Sequence, residues 1–134
     1  VKAIDTAGNW SSYSTSRSIN IDTTAPTGTS ITVNGGATYT ASTGVNLTLT
    51  ATGAAQMRFK NGNGGTWSAY ETYATTKAWT LASGDGAKAV YVEFKDLAGN
   101  SGMIFDTITL DTIAPTAPTL SGTTPTNDTT PLPQ

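Results

Sequence analysis

The chain has 134 residues, of which only 12% are charged, and its formal net charge is −2. Its seven basic residues are scattered rather than clustered, so no surface for nucleic acid is predicted. It contains neither Cys nor His, which excludes disulfides, thiolate zinc sites, a cysteine nucleophile and a Ser-His-Asp triad.

An internal repeat organises the sequence. The segment VKAIDTAGN at 1–9 matches VEFKDLAGN at 92–100, and SINIDTTAPT at 18–27 matches TITLDTIAPT at 107–116. The two matches occur in the same order at a spacing of about 90 residues, which is close to the size of one small β-sandwich domain. The chain therefore reads as a tandem array that begins and ends inside a repeat.

Three segments follow from this period. Residues 1–22 are predicted to be the last two strands of a preceding repeat, and residues 23–113 a complete repeat. Residues 114–134 are predicted to be a linker and the start of a following repeat, extended because they are rich in Pro and Thr. No apolar run approaches the ~20 residues that a membrane-spanning helix needs.

Seven short strands are predicted in the complete repeat, because apolar and polar residues alternate in segments separated by turns. In chain order, the predicted inward-facing or strand-marking residues are Ile31 and Val33; Val45, Leu47, Leu49 and Ala51; Met57 and Phe59; a segment at 66–73; Trp79 and Leu81; Val90, Val92 and Phe94; and Ile104, Ile108 and Leu110. Arg58 and Lys60 are predicted to point outward. This patterning predicts an all-β fold of two packed sheets, with Trp79 and Phe94 buried.

The pattern V-x-A-x-D-x-A-G-N-x-S at 1–11, closing in DTTAP at 22–26, resembles bacterial immunoglobulin-like and fibronectin type III-like tandem repeats of large surface proteins and adhesins. GDGAKAVYVEFKDLAGN at 84–100 is similar to their sixth-strand region, although no Tyr stands early in that strand. The ending, 115–131, resembles the start of a further repeat. The resemblance implies an immunoglobulin-like sandwich, an extracellular or cell-surface location and a structural role.

Four aspartates recur at matched positions: Asp5 with Asp96, and Asp22 with Asp111. In such a sandwich the loop carrying Asp96 and Asn100 lies at the same pole as the linker carrying Asp22. Two carboxylates and nearby carbonyl oxygens suit Ca²⁺, and related adhesins carry calcium at such junctions, so Asp22, Asp96 and Asn100 are predicted calcium ligands. The alternative is that Asp96 caps a turn by accepting backbone N–H groups.

Two further motifs have structural and functional interpretations. KNGNGGTW at 60–67 resembles a degenerate Asp-box, a hairpin of sialidases, and is predicted to be a glycine-rich turn anchored by Trp67. The aromatic set comprises Trp67, Tyr70, Tyr73, Trp79 and Tyr91. Alternation predicts Trp67 and Tyr73 on one face and Tyr70 on the other, with most of the set in the core. A flat exposed row would instead indicate glycan binding.

The only two glutamates, Glu71 and Glu93, are predicted at outward or rim positions, which gives no catalytic pair across a cleft. A Lys–Asn cross-link at Lys60 or Lys95 lacks matched partners. The sequence thus predicts a non-catalytic spacer repeat of an extracellular protein or fibre, whose partners are neighbouring repeats. Two alternatives stay open: a filament subunit that exchanges β-strands with other copies of itself, and a carbohydrate-binding module of a secreted enzyme with a glycan or cell-surface ligand.

Overall fold

The structure is a computed structural model that describes residues 1–119, and these residues are organised as β-strands joined by turns. The eight strands are β1 (Thr27–Val33), β2 (Tyr39–Thr40), β3 (Gly44–Thr52), β4 (Gln56–Asn61), β5 (Glu71–Thr72), β6 (Thr76–Thr80), β7 (Gly86–Lys95) and β8 (Ser101–Leu110). A single 3-10 turn, Asn34–Gly36, follows β1. The all-β prediction is therefore confirmed for the described residues.

The strands form two sheets. One has three strands in the order β1-β3-β6, and the other has five in the order β2-β8-β7-β4-β5. All neighbours are antiparallel except β2, which runs parallel to β8. The outermost strands of the larger sheet, β2 and β5, have only two residues each.

The core lies between these sheets because one face of each long strand is apolar. In β3, buried and exposed residues alternate along the whole strand, as the period of two requires. The larger sheet contributes the registered pairs Met57–Phe94 and Phe59–Val92 from β4 and β7, and all four side chains are buried. The Asp106 carboxylate of β8 also accepts a 2.8 Å hydrogen bond from the Val33 backbone N–H of β1, which ties the sheets together.

The structure corrects three details of the predicted strands. There are eight rather than seven, because the short β2 pairs with the end of β8. The predicted strand at 66–73 is extended only at β5, because Ser68 turns back to hydrogen-bond both the N–H and the carbonyl of Phe59. Trp79, predicted to be buried, is only partly buried and packs against Phe59 at 5.4 Å between ring centroids.

The flanking segments lie outside the core. Residues 1–24 are exposed throughout, and within residues 1–22 the strand pairing is a single bridge between Ile4 and Trp10. Among residues 1–119, no helix is long and apolar enough to cross a membrane. The predicted start of a following repeat falls mostly beyond residue 119, outside the described residues.

Truncating the core should cost most where a ring is fully enclosed. Phe94 is 0% exposed and contacts Tyr73 edge-on at 5.9 Å, so Phe94→Ala is expected to lower the free energy of unfolding by about 3–5 kcal/mol. Trp79→Ala should cost less, because Trp79 already contacts solvent. Urea unfolding followed by circular dichroism measures both, and an equal or larger loss for Trp79→Ala would contradict this burial order.

Candidate functional site

The turn between β7 and β8 is built around the carboxylate of Asp96, which is only 9% exposed. Its Oδ1 accepts the backbone N–H groups of Gly99 (2.7 Å) and Asn100 (2.8 Å), and its Oδ2 accepts the Asn100 side-chain amide (2.9 Å). Gly99 has φ +99°, a conformation that favours glycine. The D-x-A-G-N sequence therefore folds into a turn in which one carboxylate satisfies three donors.

The matched sequence near the N-terminus has the same geometry. Asp5 Oδ1 accepts the backbone N–H groups of Ala7 and Asn9, both at 2.9 Å, and Oδ2 accepts the Asn9 side-chain amide at 3.0 Å. The Asp5 N–H donates to the Asn9 carbonyl at 3.0 Å, as Asp96 does to Asn100. The sequence match between residues 1–9 and 92–100 is thus also a match of hydrogen bonds.

The aspartates of the two linkers also match each other. Asp22 Oδ1 accepts the backbone N–H of Thr24 at 3.0 Å, and Asp111 Oδ1 accepts that of Ile113 at 3.1 Å. Each aspartate thereby fixes the backbone two residues later, as Asx turns do. Both linkers therefore begin with the same local turn.

One contact joins the linker to the turn. The Asn100 side-chain amide, besides bonding Asp96, donates to the backbone carbonyl of Asp22 at 3.0 Å. We call the contact among Asp22, Asp96 and Asn100 the linker clasp. It brings together the three residues that the sequence predicted as one site, at the predicted pole of the sandwich.

The clasp is occupied by hydrogen bonds of its own. Calcium prefers six to eight oxygen ligands, yet the Asp96 carboxylate is engaged by N–H donors and the Asp22 carboxylate by Thr24. No group of three acidic or other metal-ligating side chains occurs within residues 1–119. The geometry thus fits a self-satisfied turn better than a metal site. Calcium binding stays a prediction, and thermal unfolding with calcium and with chelator would test it.

The aromatic set divides between the two faces of the larger sheet. Tyr73 and Trp79 pack against the core, and the Tyr73 hydroxyl accepts the Ala51 N–H at 3.0 Å. Trp67, Tyr70 and Tyr91 lie instead on the outer face, half-buried. The predicted grouping of Trp67 with Tyr73 is therefore wrong, because the chain leaves strand geometry between 62 and 70, and period-two alternation does not apply there.

Cations fill the spaces between these outer rings. Arg58 lies over Trp67 (4.9 Å) and Tyr70 (4.5 Å), and Lys60 lies over Trp67 (4.8 Å) and Tyr91 (5.1 Å). We call the outer ladder the set formed by Arg58, Lys60, Trp67, Tyr70, Tyr91, Lys95 and Phe105. Lys60, predicted to point into solvent, is only 8% exposed because these rings cover it. Such cation–π contacts stabilise by ~0.5–2 kcal/mol each, more where desolvated.

The outer ladder does not present a flat aromatic platform. Tyr91 stacks on Phe105 with centroids 4.9 Å apart and an interplanar angle of 25°, so these rings face each other across the strands. Lys95 lies 3.6 Å from the centroid of Tyr70. Ring faces that a bound sugar would need are therefore turned toward cations or toward other rings. Phe105, which the sequence analysis did not single out, could have been found from its place opposite Tyr91.

The two glutamates are held in ion pairs rather than in a cleft. Glu93 pairs with Arg58 and accepts hydrogen bonds from Tyr70 (2.9 Å) and Ser101 (3.0 Å). Burial alone would raise the pKa of Glu93, but the bonds from Arg58, Tyr70 and Ser101 together lower it below its usual value. Glu71 pairs with Lys77 at 2.6 Å. Both carboxylates serve the sheet surface.

No protein-family model matches this chain, and no curated protein sequence matches it. Proposals about its function therefore depend on its own residues and on the contacts described above.

The Asp96 turn should make stability depend on pH. The Asn100 side-chain hydrogen bond, with backbone bonds from Asn100 and Gly99, holds the pKa of Asp96 below its ordinary value. Its contribution is present above the pKa that Asp has in the unfolded chain, and it is lost as the pH falls through the lowered pKa of the folded state. Asp96→Asn should flatten this acid dependence in urea unfolding measured across pH.

Asp5→Asn is the matched control, because it alters the same turn outside the sandwich core. It should leave the pH dependence of sandwich unfolding unchanged. An Asp96→Asn variant with the acid dependence of the parent chain would show that another carboxylate is responsible.

Proposed function

We propose that this chain is a stretch of tandem immunoglobulin-like sandwiches that serve as a non-catalytic spacer in an extracellular surface protein or fibre. In this proposal residues 1–22 close a preceding unit, residues 23–113 form a complete unit, and residues from 114 onward lead into the next. The resemblance of the repeated motifs to bacterial surface-protein repeats supports the extracellular location.

Strand order supports the immunoglobulin-like assignment. In that fold the first, second and fifth strands of the domain share one sheet, and the third, sixth and seventh share the other. Here β1, β3 and β6 share one sheet, while β4, β7 and β8 share the other with the short β2 and β5 at its edges. The matched hydrogen bonds of the Asp5 and Asp96 turns support the division into repeats.

The observation that carries the spacer proposal is the linker clasp. A linker whose backbone is free would let successive units swivel, and it would transmit little orientation. The bond from Asn100 to the Asp22 carbonyl fastens the incoming linker to a turn of the unit that follows it. Pro26, just before β1, further restricts the backbone at this junction. Each junction would therefore hold a preferred angle, as a spacer requires.

A non-catalytic role agrees with the state of the polar side chains. The carboxylates of Asp96, Glu71 and Glu93 are each paired or hydrogen-bonded within the fold. The cations of the outer ladder are likewise directed at rings or, for Arg58, at Glu93. These groups stabilise turns and the sheet surface, which is what a load-bearing unit without disulfides needs.

A head-to-tail concatemer of residues 25–113 tests the clasp, since joining Ile113 to Ala25 recreates DTIAPT of 111–116. Small-angle X-ray scattering of two to four units should show a maximum dimension that grows by a constant increment. Asn100→Ala in every unit should shorten that increment, because each linker loses its bond to the turn. Asn46→Ala, on an exposed side chain of β3, is the control and should leave the increment unchanged.

Circular dichroism separates a loosened junction from a damaged domain, because only the latter lowers the strand signal. Unchanged scattering of the folded Asn100→Ala concatemer would reject the clasp as the source of stiffness.

A second candidate, strand exchange between copies, is favoured by the exposure of residues 1–22. Val1, Ile19 and Ile21 are almost fully exposed, and a two-stranded hairpin alone is marginal in water. Pairing with the sheet of another copy would cover these side chains and the free edges of the hairpin.

This candidate predicts that residues 1–134 dimerise or polymerise, while residues 23–134 stay monomeric because they lack the donated hairpin. Light scattering coupled to size exclusion measures both masses. Monomers from both chains, with rapid amide exchange throughout residues 1–22, would reject exchange and leave the spacer proposal standing.

A further inference from the structure

The glycine-rich loop after β4 holds a lysine against its backbone. Lys60 is buried between Trp67 and Tyr91, and its Nζ donates to the carbonyl oxygen of Asn63 at 2.5 Å. That oxygen belongs to the peptide bond between Asn63 and Gly64. The positive charge is therefore fixed beside one particular peptide group, at low exposure to water.

The chain has three Asn–Gly steps, at Asn34, Asn61 and Asn63. Asn–Gly is the dipeptide in which the following backbone nitrogen reaches the asparagine side chain most easily, because glycine has no Cβ to obstruct the approach. The three steps differ in how tightly the fold holds the reacting groups, so they can be compared within one molecule.

Two of the steps are restrained by hydrogen bonds. Asn61 donates to the Thr80 carbonyl (2.9 Å) and accepts the Trp79 indole N–H (2.8 Å), while the Gly62 N–H is bonded to Ala89 (2.8 Å). The Asn34 side-chain oxygen accepts the Asn46 N–H at 2.9 Å. In each case the side chain must leave a partner before it can react.

The third step is free to react. Asn63 and Gly64 are both exposed, and within residues 1–119 no hydrogen bond holds the Asn63 side chain or the Gly64 N–H. A methyl group placed on Gly64 would meet nothing within 4 Å, so the surroundings are open.

We infer that Asn63–Gly64 is a self-modification site, where Lys60 promotes the conversion of Asn63 to aspartate and isoaspartate ahead of the other Asn–Gly steps. This inference is independent of the spacer proposal. It assigns Lys60 a chemical consequence besides its packing role in the outer ladder.

The reaction needs only solvent. A base removes the Gly64 N–H proton, and the resulting negative charge is shared with the Asn63 carbonyl oxygen, where the Lys60 ammonium is already placed to stabilise it. The Gly64 nitrogen bonds to the Asn63 side-chain carbon, and the amide C–N bond breaks with release of ammonia. Water then opens the cyclic imide at either carbonyl, which gives aspartate or isoaspartate and adds one negative charge.

The product would change the environment of Lys60. A new carboxylate at position 63 lies next to an ammonium that otherwise faces two aromatic rings, and opposite charges attract strongly at low exposure. In the isoaspartate product the backbone is also longer by one carbon within a tight loop. Aged molecules would therefore carry an altered end of the outer ladder.

The test is peptide mapping by mass spectrometry of the whole chain incubated at neutral and mildly alkaline pH. Asn34 is the internal reference, because Asn34-Gly35-Gly36 and Asn63-Gly64-Gly65 have the same two following residues. In the folded chain Asn63 should convert several-fold faster than Asn34. In urea, where the fold is lost, the two rates should become similar.

Lys60→Met should slow conversion at Asn63 while leaving Asn34 unchanged, and Lys60→Arg should retain most of the rate because it keeps the charge. Lys95→Met, which removes another cation of the outer ladder, is the matched control and should have no effect. Equal rates at Asn63 and Asn34 in the folded parent chain would overturn the inference even if a variant failed to fold, as would an unchanged Asn63 rate in folded Lys60→Met.

Discussion

The pairing of β4 with β7 is the constraint on which both faces of the larger sheet depend. Because side chains alternate between faces with a period of two, one register settles both surfaces at once. It buries Met57 against Phe94 inside the sandwich, and it places Arg58 opposite Glu93 outside. A slip of one residue would bring charged groups into the core and phenylalanines to the surface. The outer ion pair and the inner hydrophobic pair therefore specify the same register independently.

A protein without cysteine must stabilise its turns and surfaces by other means. Here the carboxylates of Asp96 and Asp5 each organise a turn, and cations packed against rings cover the outer sheet face. These interactions are local and need no redox chemistry. They also repeat along the sequence with the turn motif, so each unit carries its own means of folding.

The sequence predicted the strands and the core well, because period-two alternation in β3, β4 and β7 is a direct signature of a half-buried strand. It also predicted that Asp22, Asp96 and Asn100 meet, because the repeat fixed their places in a two-sheet topology. It failed between 62 and 70, where glycines release the chain from strand geometry and alternation no longer reports direction. Lys60 was misplaced for a related reason: a lysine in an outward position is normally solvated, and only the loop that folds over it buries it.

The short edges of the larger sheet have a consequence for crowding. Units joined in series experience each other at a high local concentration, and exposed strand edges would then invite pairing between neighbours. β2 and β5 offer only two residues each, and β1 carries a register shift between Thr27 and Ser30 that interrupts its own edge. Neighbouring units could thus remain similar in sequence without merging their sheets, so that duplication could lengthen such a protein while each unit still folded separately.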